Sequence, residues 1–538
     1  MNCISRVLLI LLGVSILYAE PIIFRDNNRE LGARYLIITL DRYYSTIQSF
    51  AQWKHKKGIS TKVVKISEIG GNEPEVIKDF IASAYCLWEI IPEYVLIVGD
   101  VKQIKPYPHP VVGSTDNPYA DVNNDTVLEL QIGRLPCRNR RQLRAMIAKI
   151  FNYERTPYLG DTMFYKKAAT IRQDPGPFHN AGVNFTRNMI LDNSDFISVD
   201  TFVKPAHNRY DVHDSLKAGR SYLLYTGHGL GTQWADPFKV NPYVNNRNKT
   251  PVIFSWSCRT VLEQNYLGQK WLKSGGIRRP KGAVAFIGAT SSGLYARYRN
   301  YVARNFFRAI FQDKALTIGS ALKQGLDSLW TFTPDSFGRV LYSEFNLLGD
   351  PSLNLWTTVP KPMTIHHDTM ISSSPQIFNV NVTNQDGKEI AHALVCLSTL
   401  DGSDFYHTGY TDSAGQIRFA INPSGYDRIL ITVTAQNYRP YENKCVVVTR
   451  KEQSGQSEAI ADLNYFTIYP NPAKSYITVH LPHTVNCIKI YDATGKLVKV
   501  INRLGNPTLR ISLSGINPGI YFITDEGKTR IERLTVIK

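Results

Sequence analysis

Cysteine is scarce: seven residues in 538, with no Cys-x-x-Cys pair among them. That excludes a disulfide-stapled scaffold and gives no sign of a structural zinc module. Beyond the first twenty residues no apolar run approaches the ~18 residues of a membrane-spanning helix, which excludes a multi-span membrane protein. The 36 Gly and 28 Pro are too few for a collagenous chain. Acidic residues are in deficit, 45 against 62 Lys and Arg, leaving a formal charge of +17. Such a balance suits nucleic acid, a membrane surface or an acidic polymer as partner and decides nothing about fold. No nucleic-acid-binding module accompanies the charge, so that partner is the weakest of the three. What is present is a chain 43% apolar and 20% charged. It is long enough for about three or four domains of ~150 residues.

The N-terminus has the order of a secretory signal peptide over residues 1–19: Arg6, the apolar run Val7–Val14, then Ala19 before Glu20. Cys3 precedes the run and so is not placed as a lipoprotein cysteine. The expectation is export without a transmembrane anchor.

From Tyr35 two periods alternate. Tyr35–Thr39, Val63–Val64 and Tyr94–Asp100 read as strands, with helical stretches between them through Ile47, Phe50 and Trp53 and then from Val76 to Trp88. The alternation resumes with a strand at Leu128–Gly133, a helix at Arg141–Tyr153 and a strand at Ala168–Ile171. Three further strands follow at Ser221–Tyr225, Pro251–Ser255 and Ala283–Ile287. Such βαβ succession predicts α/β architecture in two consecutive parallel-sheet units, divided near Pro106–Pro118. After Pro360 short alternating runs, Phe378–Val382 and Ile429–Val433 among them, stand between the turn pairs Asp386-Gly387, Asp401-Gly402 and Ala414-Gly415. That texture predicts a β-sandwich of immunoglobulin type. Lys451–Asp462 is a polar linker, and a second small all-β unit follows from Tyr465 to Lys538.

In an open parallel sheet, reactive groups belong just beyond the carboxyl ends of strands. Tyr222–Tyr225 leads into Thr226-Gly227-His228-Gly229, Val252–Phe254 into Ser255-Trp256-Ser257-Cys258, and Ala169–Ile171 into Arg172-Gln173-Asp174. A thiol, an imidazole and a carboxylate at one rim are what a nucleophilic cysteine enzyme requires. The glycines beside His228 let backbone approach a substrate, with the Gly229 N–H facing a developing oxyanion. Each residue alone also fits a plainer role: a buried core cysteine, a loop histidine, a turn-capping aspartate.

Taken together, Tyr225-Thr226-Gly227-His228-Gly229, Cys258 after the next apolar block, and Phe345–Leu353 (FNLLGDPSL) resemble the gingipain-type cysteine peptidases. Tyr94–Asp100 and Ile132–Leu135 join the resemblance, which runs from about Tyr35 to Trp356. It implies a caspase-like fold, with an N-terminal subdomain over 20–116 and a catalytic one over 117–356. A sandwich over 357–450 and a linker over 451–463 would follow. It also implies Cys258 as nucleophile, His228 as general acid, Asp174 as the carboxylate steadying the imidazole, and the Gly229 and Cys258 N–H groups as oxyanion hole. No cofactor is implied for the chemistry. Thr290, Ser291 and Tyr295 lie where the family builds its substrate pocket. The Arg- and Lys-specific members place an acid soon after the Asp174 region, but Phe178–Asn184 contains none, which puts cleavage after basic residues in doubt.

Two charged segments have competing readings. Trp271–Ile310 carries eight Lys/Arg and no acid. Either this surface favours acidic substrates, or Arg297, Arg299, Arg304 and Arg308 form the solvated face of a helix whose stripe is Tyr298, Tyr301, Val302, Phe306, Ala309 and Ile310; the second reading is preferred. Asp121, Asn123, Asp125 and Glu129 space oxygen ligands in a way that suits structural Ca²⁺, with Asp116 and Asn117 nearby, and an acidic turn fits the same residues. Cys396 and Cys445 both fall on predicted sandwich strands, where pairing is open.

Tyr469-Pro470-Asn471-Pro472, Ile488–Lys496 and Asn517–Ile523 resemble the sorting domain of type IX secretion substrates, over 464–538. The implied partners are protein or peptide substrates, the type IX machinery with its sorting peptidase, and a surface polysaccharide anchor. The implied location is the medium or outer surface of a Gram-negative bacterium of the Bacteroidetes type. Besides an endopeptidase, a catalytically silent surface adhesin and a transpeptidase fit the same sequence.

Overall fold

The structure is a computed structural model, and it describes residues 30–292, 296–332, 336–399, 405–448 and most of 467–537. The leader, Tyr295, Asp401-Gly402 and the linker lie outside the described residues. The chain forms two units, 1–450 and 451–538.

Ten strands of the first unit make one sheet. In chain order they are β1 (Tyr35–Thr39), β2 (Thr61–Lys65), β3 (Tyr94–Val98), β4 (Gln131–Leu135) and β5 (Lys167–Arg172). The remaining five are β6 (Ser198–Val203), β7 (Tyr222–Thr226), β8 (Val252–Trp256), β9 (Ala285–Ala289) and β10 (Phe345–Leu348). Their spatial order is β2-β1-β3-β4-β10-β9-β8-β7-β5-β6. Every neighbouring pair is parallel except β9 and β10, so the sheet is mixed. The two α/β halves are therefore not separate sheets, because β10 pairs with β4 on one side and with β9 on the other. The strand expected at Leu128–Gly133 lies at Gln131–Leu135 and extends the first half beside β3.

β1, β3, β7, β8 and β9 are buried along their whole length. That is why they read as unbroken apolar runs: a parallel sheet is covered on both faces. The covering helices include α1 (Tyr44–Lys56), α2 (Pro74–Leu87), α3 (Arg140–Ile150), α4 (Pro177–Asp192), α5 (Arg209–Ala218), α6 (Leu267–Lys273) and α7 (Ala296–Phe311).

Buried charge ties the sheet to its helices. Glu154 lies in a π-helical turn after α3, where it accepts from Lys54 at 2.7 Å, Lys57 at 2.5 Å and the Trp53 indole at 2.8 Å. Lys54 also meets Asp350, whose other oxygen accepts from the Tyr35 hydroxyl at 2.7 Å. On β4, the buried Arg134 grips Asp116 with two nitrogens, at 2.7 and 2.6 Å, and donates to the carbonyls of Gly99 and Ile104.

Residues 363–448 form two facing antiparallel-dominated sheets around one core. One has Met363–His366, Gln376–Asn384 and Gln416–Ile421. The other has Met370–Ser372, Leu394–Ser398, Tyr406–Tyr410, Arg428–Thr434 and Tyr441–Val448. Cys396 and Cys445 are buried here as free thiols, so they do not pair. The second unit has its own core, built on Ile477, Val479, Ile488, Ile490 and Ile523, between a three-stranded and a four-stranded sheet. Among the described residues no helix is long and apolar enough to cross a membrane.

Candidate active site

Register brings the site together. Arg172 on β5, Thr226 on β7 and Trp256 on β8 are direct neighbours across the sheet. Asp174, His228 and Cys258 each stand two residues beyond that row. Adjacent strands are about 4.8 Å apart, so three consecutive strands deliver the three groups to one rim. The strand ends are tied by bonds from Gly227 N to the Trp256 carbonyl at 3.3 Å and from Gln173 N to the Thr226 carbonyl at 2.8 Å.

His228 is exposed, with Nε2 at 3.5 Å from Asp174 Oδ2. Its loop is held from below: its N–H donates to Gln173 Oε1 at 3.2 Å, and its carbonyl accepts from the Tyr225 hydroxyl at 2.8 Å and from Ala235 N at 3.0 Å. Tyr225 stacks on Trp234 at 4.3 Å, and the Trp234 indole donates to Ser255 Oγ at 2.9 Å. Asp174 accepts from Gly176 N at 2.9 Å through Oδ1, which leaves Oδ2 to face two imidazoles. The second is His179 on α4, with Nε2 at 3.8 Å. His179 lies stacked on Trp256 at 4.8 Å, and its burial holds it below the usual histidine range despite the nearby Asp174.

Cys258 is half-buried at the head of β8. A Cβ built on Gly229 would fall 2.1 Å from the Cys258 carbonyl oxygen and 3.1 Å from its N. The two backbones therefore touch at a distance only glycine permits. Arg299 on α7 donates from Nη1 to Cys258 Sγ at 3.2 Å. It is buried, and its other nitrogens pair with Glu344 at 3.1 Å from Nε and 2.5 Å from Nη2. The preferred reading of Arg299 as part of a solvated face is thus corrected. Residues 299, 302, 303, 306 and 310 follow the i, i+3, i+4, i+7 spacing of one buried stripe, and the counter-charge comes from Glu344, outside the acid-free segment.

A thiol, an exposed imidazole, a carboxylate and a glycine backbone at one strand rim are the parts of a thiol peptidase. The family comparison agrees: the model of peptidase family C25 matches residues 28–356, more than half of the chain. The chain belongs to peptidase family C25. Gingipain R2 of Porphyromonas gingivalis is 25% identical over 536 residues, which span 94% of this chain and 68% of that protein. Lys-gingipain HG66 of the same species is 23% identical over 76% of this chain, and the match takes in 25% of its own length. The crystal structure of the Arg-specific cysteine proteinase gingipain R shares the fold, with a TM-score of 0.71 at 23% identity, over 78% of this chain and 99% of that one. Residues 467–538 match the secretion system C-terminal sorting domain.

This C25 chain is a cysteine endopeptidase of the gingipain family, exported through the type IX system to the cell surface or the medium. Its other expected site residues fall in varied places. Thr290 and Ser291 follow β9 and turn toward Glu344: Ser291 Oγ donates to Glu344 Oε1 at 2.6 Å and Thr290 N to the Glu344 carbonyl at 3.1 Å. Tyr295 lies outside the described residues.

The carboxylates of the oxygen-rich loop are hydrogen-bonded to backbone and side-chain N–H groups. Asp121 accepts from the N–H groups of Asp125 and Thr126, and Glu129 from Val122 N and the Asn123 amide. Asp116 is held by Arg134, and Asn117 donates to the carbonyls of Tyr342 and Phe345. Among the described residues no three His, Cys, Asp or Glu side chains are grouped to hold a metal.

Gln173, His179, Trp256 and Glu344 complete the surroundings of the site together with Arg299, and these four were not given a role in the sequence. Gln173 and Trp256 carried a signal in being one or two positions from a reactive residue at a strand end, whereas Glu344 lies 86 positions from Cys258 and carried none.

Proposed function

We propose that Cys258 is the nucleophile of this endopeptidase and His228 its proton carrier, with Asp174 orienting the imidazole. The Cys258 sulfur adds to the scissile carbonyl carbon. The developing oxyanion accepts from the N–H groups of Gly229 and Cys258, and His228 donates its proton to the leaving amine as the C–N bond breaks. Water then adds to the thioester, giving one proton to His228 and releasing the sulfur. The observation that carries this reading is the shared position of Asp174, His228 and Cys258, two residues past one in-register row.

The relatives named for Arg and Lys specificity suggest a basic P1 residue. Two features of this chain oppose it: Phe178–Asn184 has no acid, and the Arg299 cation lies 3.2 Å from the sulfur. The substrates proposed are therefore extracellular proteins cut after non-basic residues. Residues 357–450 are proposed as an immunoglobulin-type sandwich between the two α/β subdomains (20–116 and 117–356) and the linker at 451–463. Removal of the 464–538 domain by a sorting peptidase, and attachment to surface polysaccharide, complete the proposed route.

The test is cleavage of a P1-diverse fluorogenic peptide library by the chain, with Cys258→Ala as control. Cleavage that persists in the variant would overturn the assignment. So would a parent that neither cleaves nor reacts with an electrophilic peptide at Cys258.

A further inference from the structure

Arg299 has a fixed geometry around a single remaining donor direction. Its side chain is 4% exposed and that of Glu344 is 0% exposed. Nε and Nη2 are both committed to the Glu344 carboxylate, while Ser291 Oγ holds the same carboxylate from another side. Nη1 is left, and it points at Cys258 Sγ from 3.2 Å. Turning it away would break two buried charge-assisted bonds. Burial works against the guanidinium charge, but Glu344 and the Cys258 sulfur outweigh it and keep Arg299 above the ordinary arginine range. An arginine does not release a proton in a protein, so its contact with sulfur favours the anionic form. His228 is placed differently: it is 68% exposed, on a loop, and its charge partner is Asp174.

We propose that Arg299 is a second catalytic residue, which holds Cys258 as a thiolate in the free enzyme, and that Glu344 positions it. The inference rests on Cys258 being the nucleophile. In this division of labour the thiol proton leaves to water, and the sulfur charge is balanced by the guanidinium. His228 is not required to deprotonate the nucleophile; it gives its proton to the leaving amine and regains one from the hydrolytic water. When the thiolate electron pair forms the S–C bond and the C–N bond breaks, with the proton delivered from His228, the sulfur becomes a neutral thioester. It then no longer draws on Nη1. Water restores the thiolate, and Arg299 receives it again. Glu344 is needed because an uncompensated guanidinium would not stay buried beside a half-buried sulfur.

The experiment follows alkylation of Cys258 by iodoacetamide in the full chain as a function of pH, read by the mass of the Cys258 peptide so that other thiols do not contribute. Four chains are compared: the parent, His228→Ala, Arg299→Lys and the charge-neutral pair Arg299→Met with Glu344→Gln. Parent and His228→Ala should give the same midpoint. Arg299→Lys should stay close to it, and the neutral pair should move it upward by about one unit or more, slowing alkylation roughly tenfold at mildly acidic pH. A midpoint that moves with His228→Ala and stays with the neutral pair would overturn the proposal. Because His228 is exposed, its variant retains the fold and keeps the test decisive if the neutral pair does not fold. Turnover is measured separately on peptides. A parent that alkylates as expected but cleaves nothing would end the peptidase reading and with it the roles of both residues in turnover, while leaving the thiolate contact demonstrated.

Discussion

Gly229 and Cys258 meet backbone to backbone, so close that a methyl group on Gly229 would lie 2.1 Å from the Cys258 carbonyl oxygen. The closest atom is backbone, with Ser257 Oγ at 3.0 Å beside it, so the clash is not relieved by turning a side chain. Gly229→Ala must therefore push the His228 loop off the head of β8 and move the Gly229 N–H away from the proposed oxyanion position. The expected loss in kcat is about 10²–10³-fold, the effect of one oxyanion donor. Thermal unfolding within a few degrees of the parent would show that the loss is local. Retained activity would show that the Gly229 N–H has no part in the reaction.

His228 and Asp174 should separate in magnitude. His228→Ala removes the proposed proton carrier and should lower kcat by about 10²–10⁴-fold. Asp174→Asn keeps an oxygen for the Gly176 N–H, and His179 remains in place on Trp256. It should therefore cost less, on the order of tenfold. Peptide hydrolysis under saturating substrate measures both, and equal losses would give Asp174 a larger role than orientation.

Charge selectivity at P1 follows from the missing acid and the Arg299 cation. Peptides with Arg or Lys at P1 should not be cut faster than those with neutral residues there, by kcat/KM. A preference of ten times or more for basic P1 would mean that an acid elsewhere in the chain serves the pocket.

Glu154 governs acid stability. Its burial alone would raise the carboxyl, but Lys54 and Lys57 outweigh burial and bring it down to about 2, against 4.5 when unfolded. A depressed carboxyl contributes stability that is complete above the unfolded value and is lost as pH falls through the folded one. Glu154→Gln leaves two buried ammonium groups undercompensated and should cost about 3–5 kcal/mol near neutral pH. The gap between parent and variant in urea unfolding should close between pH 4.5 and about 2. A gap independent of pH would mean that hydrogen bonding, not charge, is what Glu154 provides.

Much of this was legible in the sequence because it depended on local pattern. The runs at Tyr35–Thr39, Tyr94–Asp100 and Ser221–Tyr225 read as strands because both faces of the sheet are covered, and they fall within two residues of β1, β3 and β7. Cys258 and His228 were found because each follows such a run. Arg299 was misread because its partner, Glu344, arrives from a distant part of the chain, and a charge with no visible counter-charge is ordinarily placed in water. The join between the halves was hidden for a similar reason. β10 follows β9 by more than fifty residues yet lies between β9 and β4, and no periodicity reports which strands will be neighbours. In the acidic loop the carboxylates of Asp121 and Glu129 accept from backbone N–H groups, bonds that ligand spacing alone does not reveal.

The position of β10 also bears on how the protein is made. It is the last strand of its sheet in chain order and one of the two central ones in space. A chain interrupted before Phe345 carries Cys258 and His228 but leaves β4 and β9 as bare edges, surfaces that pair with other chains rather than with substrate. Glu344 is the residue immediately before that strand and is set in place by it, so the clamp on Arg299 closes only when the sheet does. On the proposed roles of Cys258 and Arg299, entry of β10 into the sheet is the event that arms the nucleophile, and a fragment released before it is a hazard for aggregation instead of a rogue protease.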